Sequence, residues 1–136
     1  MRFLDANIFI RYIANDDVAK AEACRTLFLR LAVGEEEATT EEFVIAEVVF
    51  VLGSRTLYQL SPAQISLRLQ PLLLVSGLRF PGKRFSLRAL DLYATYHFLG
   101  FADALVIAHV ELDRIEQLYS YDRDFDRIPG VIRIEP

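Results

Sequence analysis

Hydrophobic and polar positions alternate in two distinct rhythms along this chain. A short apolar run from Met1 to Asp5 reads as a buried strand with Asp5 at its carboxyl end. Ile8, Phe9, Tyr12 and Ile13 then recur at helical spacing, up to the polar break Asn15-Asp16-Asp17. Either aspartate suits the start of a second helix, carried by Ala21, Cys24, Leu27, Phe28 and Leu31 and closed by Gly34. Glu37 to Thr39 predicts a strand. Thr40 to Phe43 opens a third helix, with the Thr40 hydroxyl and two first-turn acids favouring a start there. Ser61-Pro62 opens a fourth, through Ile65, Leu69 and Leu72, with proline at the first helical position.

The second half repeats the rhythm. Leu78 to Phe80 fits a strand closed by Pro81-Gly82, and Ser86 fits the cap of a helix running through Leu90, Tyr93, Ala94 and Phe98 to Gly100. Ala102 to Leu112 predicts the next helix. Leu118 to Tyr121 and Val131 to Ile134 predict two final strands around an Asp- and Pro-Gly-containing turn. Short strands alternating with longer helices predict an α/β layer structure with a mostly parallel sheet. Ligands in such sheets collect beyond the carboxyl ends of the strands, so the residues there are the ones to inspect.

Length and composition narrow the class. The 136 residues suit one domain, 1–136, and 53% hydrophobic content supports a real core and argues against a disordered segment. The longest apolar stretch, Phe43 to Leu52, is broken by Glu47 and falls far short of the roughly 20 residues needed to span a bilayer. Met1 leads straight into strand-like sequence, so no signal peptide is expected. The single cysteine, Cys24, fits a reducing cytoplasm. A net charge of −4 argues against binding nucleic acid through a broad positive field. Thirteen of the 15 basic residues are arginine, whose planar fork suits phosphate and carboxylate alike.

Four acids stand out by position. Asp5 ends the first strand, Asp103 begins a late helix, and Asp122 follows the strand Leu118 to Tyr121, with Asp124 and Asp126 close behind. Glu47 sits with four apolar residues before it and five after. Asp5 and Asp103 also fit helix caps, and Asp122, Asp124 and Asp126 fit turn residues. Glu47 is costly to bury unless paired or metal-bound, unless it faces solvent at a helix edge. Carboxylates gathered at one sheet edge repel each other unless a cation compensates, and a hard oxygen set suits Mg²⁺ or Mn²⁺. Such an ion activates water and stabilises charge on a phosphoryl oxygen. Residue chemistry therefore points to a metal-dependent phosphodiesterase.

Other signals are weaker. His97 and His109 lack metal-type spacing and read as packing or surface residues; Cys24 reads as core. No Gly-rich phosphate loop follows the first strand. Arg79, Lys83, Arg84 and Arg88 form the densest basic stretch, fitting either a solvated face or a contact to a phosphate backbone. The Leu-rich segment Leu57 to Leu78 is largely core, with a second apolar face that suits a dimer or a partner helix.

The order Phe-Leu-Asp-Ala-Asn, a Glu in an apolar helix, Phe-Ala-Asp-Ala-Leu-Val-Ile-Ala, and Tyr-Ser-Tyr-Asp-Arg-Asp-Phe resembles a PIN domain across essentially the whole chain. Length and motif order resemble in particular the VapC-type toxins of toxin–antitoxin pairs. The resemblance implies a three-layer sandwich with a central, mostly parallel sheet flanked by helices. It also implies an endoribonuclease using one or two Mg²⁺ or Mn²⁺ ions, acting in the cytoplasm as a homodimer silenced by a cognate antitoxin. Asp5, Glu47, Asp103 and Asp122 match the family's acids, with Asp124 and Asp126 as additional candidates, and Asn7 and Ser120 match supporting polar positions. Ala6 and Ser120 depart from the family's common residues without removing a carboxylate. A housekeeping nuclease of the same fold, or a noncatalytic interaction module, are the rival expectations.

Overall fold

Parallel pairing is present, but in shorter pieces than the hydrophobic pattern predicts, and β1, expected to be buried, is exposed at both of its paired residues. The computed structural model describes all residues, 1–136. Strand β1 (Arg2–Phe3) lies parallel to β2 (Ala38–Thr39), Arg2 opposite Ala38 and Phe3 opposite Thr39. Leu78 adds one parallel bridge to Ala38, which is all that remains of the strand expected at Leu78 to Phe80. Near the carboxyl end, β3 (Leu118–Tyr119) pairs in parallel with β4 (Arg133–Ile134). The expected central layer is thus two two-stranded pieces. Hydrogen bonds extend each piece a step further: the Leu4 amide donates to the Thr39 carbonyl at 2.8 Å, and the Ser120 amide to that of Ile134 at 3.0 Å. Parallel neighbours need a crossover of a dozen or more residues, which explains the intervening helices.

Helix α1 (Ala6–Ala14) turns Ala6, Phe9, Ile10 and Ile13 inward and ends at Asn15, whose φ of 53° is left-handed. The next helix, α2 (Val18–Ala32), is capped by Asp17, which accepts from the Lys20 amide at 3.1 Å. Asp16 is engaged elsewhere, accepting from the Tyr58 hydroxyl at 2.9 Å. That bond holds the Asp16 carboxyl below its ordinary pKa, with desolvation opposing it and Arg11 adding to the lowering. Helix α3 (Glu42–Gly53) sends Val44, Ile45, Val48, Val49 and Leu52 into the core. Helix α4 (Pro62–Leu73) begins with a reciprocal box: the Ser61 hydroxyl accepts from the Gln64 amide, and the Gln64 side chain accepts from the Ser61 amide. Helices α5 (Lys83–Thr95) and α6 (Phe101–Leu112) pack on each other, and α5 also packs on α4. One core cluster runs from Leu4 to Ile128, and Phe9 and Phe28 meet within it at 5.6 Å.

Two expected caps have other duties. Thr40 is fully buried, and its hydroxyl donates to the Leu4 carbonyl at 2.9 Å, so it ties the end of β1 to β2 while Glu41 takes the cap position of α3. Ser86 lies one turn inside α5, which starts after Gly82. Its hydroxyl is buried without a hydrogen-bond partner. Gly77 is required by space: a Cβ there would stand 2.4 Å from the Glu36 carbonyl oxygen and 2.5 Å from that of Leu31. Substituting Gly77→Ala is expected to cost about 3 kcal/mol, because both neighbours are backbone. Ser86→Ala should instead stabilise by about 1 kcal/mol, since it removes an unsatisfied buried hydroxyl. Urea denaturation of both variants checks the two opposite signs.

Candidate active site

The ends of the short strands set the first acids. Asp5 follows β1 directly and stands at the cap position of α1 with extended backbone, exposed and making no capping hydrogen bond. Asn7 is exposed in the first turn of α1. Asp103 is the third residue of α6, half-buried, beyond the Gly100 cap position, and it likewise forms no cap. The capping role considered for these two aspartates is therefore not the one they perform. Asp122 does cap: just past β3, it accepts from the Asp124 amide at 2.9 Å and starts the 3₁₀ helix Arg123–Arg127. The Ser120 hydroxyl accepts from the Asp122 amide at 3.0 Å and fixes that turn.

Glu47 takes the solvent-facing of its two alternatives. It is exposed, on the outward side of α3 with Phe43 and Phe50, which are 70% and 78% exposed. The apolar run around it is thus one helix carrying large side chains both inward and outward, so the sequence pattern shows no polar face. Beside Glu47 opens a cavity of about 600 Å³, lined also by Phe50, Gly53, Tyr93, Gly100 and Ala102. Ala102 precedes Asp103, so this wall brings Glu47 to the same mouth as the start of α6. Sequence reasoning missed the cavity, whose lining is drawn from α3, α5 and the start of α6 and is brought together only by the fold.

Charge accumulates around Asp103. Burial raises its pKa first, and the neighbouring carboxylates of Asp122 and Asp124 raise it further. No arginine answers them: Asp5, Glu47, Asp103 and Asp122 form no ion pair, although the chain has 15 cationic residues. The two additional candidates separate clearly. Asp126 is clasped by Arg133 through contacts of 3.0 and 3.2 Å, whereas Asp124 faces Asp103 electrostatically and meets only Arg127, at 3.7 Å. No hydrogen bond joins Asp5 to the other acids, and no three carboxylates converge here as a ready ligand group.

The basic stretch is largely occupied internally. Lys83 donates to the Val75 and Leu78 carbonyls, and burial lowers its pKa. Arg88 binds both oxygens of Glu111 at 2.7 and 3.2 Å. Arg84 meets Asp113 at 3.3 Å, and Arg79 lies 4.0 Å from Glu37. His109 stacks on Phe85 at 3.8 Å and bonds Glu42 at 3.0 Å. Cys24 is a buried free thiol whose pKa is raised by burial.

Comparison with known proteins gives this arrangement its family. The PIN domain family matches residues 2–131, and the chain belongs to it. No curated protein matches the chain. PIN domains are generally nucleases and typically use divalent metals. The donor type fits such an ion, since carboxylate oxygens without an ion-pair partner are hard ligands, and the structure brings Asp122 and Asp124 beside Asp103. No helix of the chain is long and apolar enough to cross a membrane.

The raised pKa of Asp103 has a stability consequence with a definite sign. The folded protein holds this proton more tightly than the unfolded chain, so the site destabilises the fold increasingly as pH rises through the carboxylate range. Asp103→Asn removes the charge. In EDTA the variant is expected to melt above the wild type at neutral pH, with the gap closing as the solution is acidified. Thermal melts across pH check this.

Proposed function

We propose that the chain is a metal-dependent endoribonuclease, the toxin of a type II toxin–antitoxin pair. Asp5, Glu47, Asp103 and Asp122 would hold one or two Mg²⁺ or Mn²⁺ ions, with Asp124 as a further contributor. The single observation that carries this reading is the half-buried Asp103 with the carboxylates of Asp122 and Asp124 beside it, while none of Asp5, Glu47, Asp103 and Asp122 forms an ion pair. A bound divalent ion would supply an activated water and charge neutralisation at a phosphoryl oxygen.

The chain's own residues hold that apparatus in place. The Ser120 hydroxyl and the Asp124 amide, by accepting and donating, lock the Asp122 turn. Arg133 draws Asp126 aside and also donates to the Ser120 carbonyl at 2.8 Å, bracing the end of β3. Asn7, in the first turn of α1, would support Asp5 by hydrogen bonding. Arg79 keeps the most open guanidinium of the basic stretch, so among Arg79, Lys83, Arg84 and Arg88 it is the one best able to meet RNA phosphate. Leu67 and Leu74 are exposed on and just after α4, and this face would carry the homodimer or antitoxin contact of a cytoplasmic toxin.

Purified chain, freed of any antitoxin, is expected to cut a structured RNA pool with Mn²⁺ or Mg²⁺ and to stop in EDTA. Asp103→Asn, still folded, should cut at least about 100-fold more slowly, in line with losing a group that acts in the transition state. Equal rates would refute the assignment of Asp103. Absence of both cutting and calorimetric Mn²⁺ binding would favour a noncatalytic interaction module, and DNA cutting in place of RNA cutting would favour a housekeeping nuclease.

A further inference from the structure

We infer that the cavity beside Glu47 receives a nucleobase of the substrate next to the bond that is cut, a refinement that rests on the ribonuclease reading above. Position supports it first. The cavity wall contains Glu47 itself and the two residues Gly100 and Ala102 that flank the start of α6, just before Asp103. A phosphodiester held by a divalent ion at the carboxylates would therefore bring its own nucleoside to the cavity mouth.

The lining has the chemistry of a base site. Phe101 and Tyr93 stand edge to face, 5.8 Å apart at 89°, and form an aromatic floor. Phe50, 78% exposed at the rim, offers a ring face that no neighbour covers. Aromatic faces of this kind stack on unpaired bases, a contact tolerant of base identity. The Tyr93 hydroxyl takes no hydrogen bond within the chain, and burial keeps it protonated, so it remains a neutral donor for a base edge. The Ser54 hydroxyl adds a second polar group, with Thr56 at 3.1 Å.

Charge and space select the base over the other parts of a nucleotide. No cation lines the cavity and most of its lining is apolar or aromatic, so its wall offers nothing to hold a phosphate while it suits a neutral ring. About 600 Å³ lies within the range of small-molecule sites and accommodates a purine nucleoside. Gly53 lines the cavity beside the Tyr93 hydroxyl, where an added Cβ would make only ordinary van der Waals contact at 3.6 Å.

The test uses the full chain in Mg²⁺, observed by NMR during titration with adenosine 5′-monophosphate, uridine 5′-monophosphate, and ribose 5-phosphate as the base-free probe. Both nucleotides should perturb Phe50, Gly53 and Tyr93, and ribose 5-phosphate should not. Phe50→Ala, whose truncation removes no core contact, is expected to raise KM for an oligoribonucleotide about tenfold while leaving Mn²⁺ affinity unchanged. Tyr93→Phe should change the relative KM of purine- and pyrimidine-flanked sites. Equal perturbation by all three probes together with an unchanged KM in Phe50→Ala would overturn the inference. If metal-dependent cutting is intact in that case, the ribonuclease reading stands and only the base site falls. If the nucleotides bind at these residues but Mn²⁺ binding and cutting are absent, the base site stands and the ribonuclease reading falls.

Discussion

Burial of the Asp103 carboxyl beside the carboxylates of Asp122 and Asp124 is the constraint on which the candidate site depends. A half-buried carboxylate with two like charges beside it is unfavourable, and a chain selected for stability alone would place an arginine there. Arginines are plentiful and are used this way elsewhere. Arg133 clasps Asp126, Arg88 clasps Glu111, and Arg2 pairs with Glu36. Asp5, Glu47, Asp103 and Asp122 have no such partner within the chain.

The fold provides the rigidity that such a site demands. Each site element is pinned by local bonds close to its acid. The buried Thr40 hydroxyl fixes the Leu4 carbonyl immediately before Asp5, and the Ser120 and Asp122 side chains wind the turn that starts the 3₁₀ helix. The inward residues of α3 anchor the helix that carries Glu47, including fully buried Ile45, Val48 and Leu52. Stability gained in the core offsets the charge left unpaired at the edge.

What was legible in the sequence was mostly local. Ser61, Pro62 and Gln64 act within one turn, and the helix they start is the one the pattern predicts. Parallel α/β organisation also followed from the alternation of elements. Strand extent did not, because it depends on partners distant in sequence: Leu78 finds only Ala38, and β1 keeps two paired residues. Thr40 and Ser86 looked like caps because capping residues are recognised by type, whereas their hydroxyls answer to tertiary position. The four acids were visible from motif order. Their surroundings were not: Glu47 is exposed because α3 carries phenylalanines outward, and the separation of Asp124 from Asp126 rests on where Arg133 lies.

The central claim is that the charge at Asp103 is held ready for a divalent cation. Its most direct test is a carboxyl-carbon NMR titration of Asp103, in EDTA and then in saturating Mg²⁺. The account predicts a midpoint above the ordinary aspartate range in EDTA and a marked fall when Mg²⁺ is added. A midpoint that is raised but indifferent to Mg²⁺ would contradict it, because the repulsion would then serve no cation.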